Sequence, residues 1–149
     1  VHDLLRRQLH TDAFRREYRG VCLGVPDPPR GTVDLPIGRA EGSAIARQIR
    51  SDGDSAVTHY ETLETRNGLS LLRLLPETGR THQLRLHMAT LGCPLAGDWL
   101  YGKEDPTLIP RPALHSYALE LVHPVTGEVL HLTAPLPEDM VRLGPWQEE

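Results

Sequence analysis

The dipeptide Asn67-Gly68 sits between two runs rich in β-branched, aromatic and leucine residues, AVTHYETLE at 56–64 and LSLLRLL at 69–75. Both residues tolerate positive φ, and the two-residue turn they form matches the right-handed twist of the strands it joins. The middle of the chain therefore has to contain an antiparallel hairpin, and the rest must pack against it. Two further strand-like runs, 116–122 and 128–133, are joined by HPVTG, and Pro135 and Pro137 end the second. Residues 17–23, EYRGVCL, read as another short strand, followed by a loop stiffened by Pro26, Pro28 and Pro29.

Helical periodicity occurs twice. Val1, Leu4, Leu5 and Leu9 fall on one face of a segment over 1–10, and Leu84, Met88 and Leu91 stand at i, i+4, i+7 in TGRTHQLRLHMATLG, 78–92, which stops at Gly92 and Pro94. The second pattern predicts a helix over about 80–91. Residues 33–50 fit either a helical turn around SAIARQI or an irregular surface segment. The sum is an α+β domain, one unit over 1–149, with a mainly antiparallel, mixed sheet and packed helices.

No apolar run approaches the roughly 20 residues that cross a bilayer, and the N-terminal residues do not resemble a signal peptide. Cys22 and Cys93 are too few for a disulfide framework and read as small core residues. These features lead us to expect a cytoplasmic location. The formal net charge of −4 hides an asymmetry: thirteen arginines and Lys103 face twelve acids over 1–103, a net of +2, whereas two arginines face eight acids over 104–149, a net of −6. Guanidinium groups grip phosphates bidentately and stack on bases, so the bias fits either RNA contact or genomic composition.

Motifs for dinucleotides, P-loops, zincins and serine hydrolases are absent from the sequence. His82 and His87 share the predicted helix, but five residues turn it by about 140°, so their rings cannot readily meet on one metal ion. No metal site is expected. Thr78, Gly79 and Arg80 fall where a strand is expected to meet a helix N-terminus, a position that favours an anion beside Arg80. A surface ion pair and a simple helix cap fit the same pattern. Arg85, about 140° further round, suits a phosphate contact or a solvent-facing charge.

The run LLPETGRTHQLRLHMATLGCPLAGDWLYG, 74–102, resembles the C-terminal signature of the RluA-type RNA pseudouridine synthases. REYRGVCLGV at 16–25 resembles the tyrosine-bearing strand of that family. VDLPIGR at 33–39 with AVTHYETLE resembles its middle region, and ALHSYALELVHPVTGEVLHLTAPLP at 113–137 its closing hairpin. The resemblance covers nearly the whole chain and implies a partial pseudouridine synthase fold. It implies isomerisation of selected uridines in rRNA or tRNA, with RNA as partner and no cofactor. By the same resemblance Tyr18 packs against the target base and is implicated in removing its C5 proton, Arg80 pairs with the catalytic aspartate, and Leu114 lines the uracil pocket. Arg15, Arg16 and Arg85 are the candidate RNA contacts.

One element of the resemblance is lacking. The family carries its aspartate in a motif of the form RLDxxTSG upstream of the tyrosine strand, and no such motif occurs here; Asp3 and Asp12 have the wrong neighbours. The expectation is a chain that begins just after the catalytic residue, inactive alone, with an unpaired sheet edge and exposed apolar area. A shortened paralogue acting as a non-catalytic RNA-binding module is the alternative.

Overall fold

A computed structural model describes residues 1–9, 11 and 14–147. Its frame is a six-stranded sheet. The hairpin comprises β5, Val57–Arg66, and β6, Leu69–Pro76, turning through Asn67 and Gly68 at φ 52° and 78°. Strand β1, Arg15–Leu23, pairs antiparallel with β6 on one side and with β7, Leu114–Val122, on the other. β2, Arg30–Asp34, forms one edge beside β5, and β8, Val129–Thr133, the other beside β7, giving the order β2-β5-β6-β1-β7-β8. The pairings within this sheet are all antiparallel.

Strand β6 explains why the sheet is covered on both faces. Leu69 and Leu71 point to one face, Leu72 and Leu74 to the other, and all four are buried. A near-continuous apolar strand of this kind belongs at the centre of a sheet. Leu69 and Leu71, with Val21 of β1, pack under Ile109, Leu136, Met140, Leu143 and Trp146 of the C-terminal part, which contains the short helix α3, Glu138–Val141. On the second face, Leu72, Leu74, Cys22, Tyr60 and Val33 receive Leu84 and Met88 of helix α2, Gln83–Thr90, together with Leu95. Each buried leucine contributes on the order of 2 kcal/mol of hydrophobic stabilisation.

Three expectations are revised. Residues 33–50 contain no helical turn: β3, Ile37–Arg39, and β4, Arg47–Ile49, form a separate two-stranded hairpin. At its tip the Ser43 hydroxyl accepts from the N–H groups of Ile45 and Ala46, satisfying donors that a helix would have used. Helix α2 starts at Gln83 rather than near Arg80, because His82 occupies the left-handed region (φ 58°, ψ 19°) and breaks the right-handed path. The N-terminal helix α1, His2–Gln8, forms as its pattern predicts, yet buries none of its residues. Its attachment is polar: the Gln8 carboxamide donates to the Val122 carbonyl at 2.7 Å and accepts the Val122 N–H at 2.9 Å, continuing the ladder beyond the start of β1. Both cysteines are buried free thiols, and burial pushes Cys22 up to about 12.

Candidate active site

Tyr18 and Leu114 lie on one face of the sheet. Tyr18 lies on β1 opposite Leu74 of β6 and Ser116 of β7, at a bulge that shifts the β7 register between Glu17 and Tyr18. Leu114 opens β7 opposite Gly20, two residues along β1 from Tyr18. Both side chains are half-buried and pack against the cluster of Leu72, Leu74 and Leu84. Gly20 keeps the space beneath them filled by neighbours, since a Cβ there would come within 3.1 Å of Leu74 Cδ1 and Leu95 Cδ2. Ser116, on the same face, is exposed, so the face opens to solvent beside the phenol.

Arg80 belongs to the loop between β6 and α2 and is exposed. Its Nε–H donates to the Ser55 carbonyl at 2.8 Å. Arg16, two residues before Tyr18, reaches this loop: a Cβ at Gly79 would lie 2.9 Å from Arg16 Nη1, so the Arg16 guanidinium rests beside the backbone next to Arg80. Among the described residues no carboxylate forms an ion pair with Arg80. The two acids nearest in sequence to these groups are engaged elsewhere. Glu77 Oε2 meets His59 Nε2 at 2.5 Å, and Glu17 is shared between Arg19 Nη1 and Arg73 Nη2, the latter at 3.2 Å. Asp3 pairs with Arg6 on the exposed surface of α1, and Asp12 lies outside the described residues.

The remaining candidates separate. Arg15 and Arg16 border two cavities of about 270 and 320 Å³ at the start of β1, the larger also lined by Glu17, Arg73 and His131. Neither cavity is lined by Tyr18, Arg80 or Leu114. Arg85 is held by the fully buried Asp98, with Nε to Oδ2 at 3.0 Å and Nη2 to Oδ1 at 2.8 Å. Its guanidinium lies 5.2 and 5.7 Å from the ring centres of Tyr101 and Trp99. Burial pushes the Asp98 carboxyl upward, but hydrogen bonds from Arg85 and from the Tyr101 and Leu100 N–H groups outweigh it and hold the group below the usual carboxylate range.

The two histidines at the start of α2 and within it, His82 and His87, face different partners. His82 Nδ1 and the Tyr101 hydroxyl are hydrogen-bonded at 2.7 Å, and that hydroxyl accepts the Arg47 N–H at 2.9 Å, tying the Arg80 loop to β4. Burial and then the charges of Arg85 and Arg47 push the His82 imidazole down. His87 is fully buried between Thr58 and the Leu35 carbonyl. Sequence reasoning assigned no role to Gln83, Asp98 or Tyr101. The signal present for Gln83 was its spacing of four from His87, which puts two polar side chains on one helical face beside the apolar stripe.

The sequence profile of the RNA pseudouridylate synthase family matches residues 1–90. The chain belongs to that family. Among curated relatives it is 40% identical over 145 residues to the uncharacterized RNA pseudouridine synthase YhcT of Bacillus subtilis, covering 96% of this chain and 48% of the relative. It is 41% identical over 147 residues to the ribosomal large subunit pseudouridine synthase D of Nitrosomonas europaea, covering 93% and 42%. Among solved structures, human RNA pseudouridylate synthase domain containing 1 superposes with a TM-score of 0.79 at 28% identity, over 96% of this chain and 62% of that one. Human RNA pseudouridylate synthase domain containing 4 gives a TM-score of 0.73 at 25% identity, over 93% and 64%. The chain thus spans about half the length of the curated relatives it matches. Among the described residues no helix is long and apolar enough to cross a membrane.

Proposed function

We propose that the complete protein containing this chain converts selected uridines of rRNA or tRNA to pseudouridine, and that these 149 residues supply one wall of the active site. The observation that carries the reading is that Tyr18 and the residue opposite Gly20, Leu114, share one face of the sheet while Arg16, two residues before Tyr18, reaches the backbone of the Arg80 loop, in a member of an RNA-modifying family. The reaction breaks the bond between ribose C1′ and uracil N1, turns the base and joins C1′ to C5. The C5 proton leaves and N1 gains one, so atoms and electrons balance without oxidant or reductant. A carboxylate supplied from outside this sequence opens the glycosidic bond. Arg80 releases Ser55 to pair with it and favours its ionised form. Tyr18 packs against the turned base and receives the C5 proton, while Leu114 supplies the apolar side of the uracil pocket. A flipped uridine brings its flanking phosphates with it, and Arg15 and Arg16 are placed at the start of β1 to meet them. Arg85 acts through Asp98, keeping the segment after α2 in shape.

A non-catalytic RNA-binding module is the second reading, favoured by Arg80 having no carboxylate partner among the described residues. Assay of the complete gene product on rRNA and tRNA separates the two. The first reading expects pseudouridine from the complete protein, none from the 149-residue chain alone, and a loss of about 100-fold or more on Arg80→Ala, the size expected when a charge-stabilising group is removed. An in-frame RLDxxTSG-like segment upstream of Val1 accompanies it. RNA binding without turnover by the complete protein overturns it. So does turnover by the isolated chain that is lost on Asp3→Asn or Asp12→Asn.

A further inference from the structure

Gln83 is 4% exposed, and its carboxamide has every hydrogen-bonding capacity filled. Oε1 accepts from the Thr78 hydroxyl at 2.7 Å and from the Arg80 backbone N–H at 3.1 Å. Nε2 donates to the Val57 carbonyl and to Thr58 Oγ1, both at 2.9 Å. Thr78 closes a ring with the same strand, because its hydroxyl oxygen accepts the Val57 N–H at 3.0 Å. One side chain at the start of α2 thus ties the Thr78 hydroxyl and the Arg80 backbone, on either side of Gly79, to the first residues of β5.

The direction of this carboxamide is dictated from outside it. The Leu35 carbonyl can only accept, so His87 Nε2, 2.9 Å away, carries a hydrogen. In the neutral ring Nδ1 is then an acceptor and takes the Thr58 hydroxyl hydrogen across 2.8 Å. Thr58 Oγ1 keeps its lone pairs for the Gln83 N–H, which turns the Gln83 oxygen towards Thr78 and Arg80. The fully buried Thr58 and His87 place this relay beyond the reach of water, and a flipped amide would set a donor against the Arg80 N–H.

We infer that Gln83 is the positioning residue for Arg80: its carboxamide, oriented by Leu35, His87 and Thr58, fixes the loop backbone from which the arginine reaches the catalytic carboxylate. The inference rests on the proposed isomerase reading for its catalytic consequence, and on hydrogen bonds within the chain for its structural one. The left-handed backbone at His82, held by Tyr101, keeps α2 from extending back through Arg80. The arginine is thereby left on a loop with its N–H free for Gln83.

The test uses the complete gene product with Gln83→Leu, which removes all four hydrogen bonds, and Gln83→Glu, which retains the oxygen facing Arg80 and removes both donors. Two readouts are taken: amide hydrogen exchange at Arg80, and single-turnover isomerisation at saturating RNA beside RNA affinity. Gln83→Leu is expected to speed Arg80 exchange at least about tenfold, since a local hydrogen bond is lost without global opening. It is expected to slow turnover by about 10- to 100-fold with affinity within about threefold, because misplacement of a catalytic group by an ångström has that cost. Gln83→Glu is expected to fall between wild type and Gln83→Leu. Should Gln83→Leu fail to fold, Thr78→Val removes one of the two donors to Oε1 and is expected to shift both readouts in the same direction. Unchanged Arg80 exchange in a folded variant overturns the inference, as does a turnover loss matched by the loss of affinity. If the wild-type protein makes no pseudouridine the isomerase reading fails, and the exchange measurement still decides whether Gln83 holds Arg80.

Discussion

Arg85 and Asp98 show how a side chain's chemistry depends on its partner. In sequence Arg85 is one of many arginines; in the fold it faces a carboxylate with no solvent exposure, which also accepts two backbone N–H groups. Removing one member of such a pair strands the other in the interior, so Arg85→Ala is expected to cost about 3 kcal/mol, read from urea denaturation. A cost near zero means Asp98 gains water or another partner. Tyr18 belongs to the same scale. Tyr18→Phe keeps the ring that would stack on the base and removes the oxygen that would take the C5 proton. It is expected to lower isomerisation at saturating RNA by about 100-fold or more while leaving RNA affinity intact; an equal loss in affinity would assign Tyr18 to binding alone. Asp98, which holds Arg85, lies beyond α2, and nothing near Tyr18 in sequence marks its role, which is why residue types and spacing left each open until the family resemblance singled Tyr18 out.

At the scale of elements, what the sequence disclosed follows the range of the forces involved. The β5–β6 hairpin was legible because its turn is set by two adjacent residues: Asn67 and Gly68 both sit at positive φ, and nothing lies within 4 Å of a Cβ built on Gly68. Gly68→Ala therefore tests backbone conformation without a clash, and is expected to destabilise by about 1 kcal/mol. No change in the urea midpoint would show that the turn relaxes to another type. The β3–β4 hairpin was illegible, since strands of three residues carry too little pattern, and the start of α2 was misplaced because His82 leaves the helical region to meet Tyr101. The packing of α2 also sets a pH dependence. Burial pushes the His87 imidazole below its ordinary value of 6.5, so the folded state resists a proton that the unfolded chain accepts. The unfolded state then binds more protons, and stability, fully present above about pH 6.5, declines as the pH falls below it. Urea midpoints measured from pH 8 to 5 should show the decline, with a flatter profile for His87→Asn; identical profiles would mean that His87 does not contribute.

For the whole molecule, the feature that stands out is how unevenly the sheet is covered. β6 and the second half of β1 are enclosed on both faces, whereas β8 is an edge strand with Val129 and Leu132 more than half exposed, and the N-terminal segment carrying α1 shows Val1, Leu4 and Leu9 to solvent. An uncovered edge bearing apolar side chains favours association. Light scattering of the isolated chain is expected to show self-association that Leu132→Lys reduces; a monomer at all concentrations would contradict this. Arg80 rests on a backbone carbonyl, that of Ser55. On the proposed reading, Arg80 serves a carboxylate delivered by another part of the protein. A crystal structure of the complete gene product measures it most directly. The Arg80 guanidinium is expected within about 3 Å of an aspartate from the upstream part, the distance of a charge-assisted hydrogen bond, with the Tyr18 ring beside the pair. An Arg80 still on the Ser55 carbonyl, facing water with no carboxylate between it and Tyr18, would contradict it.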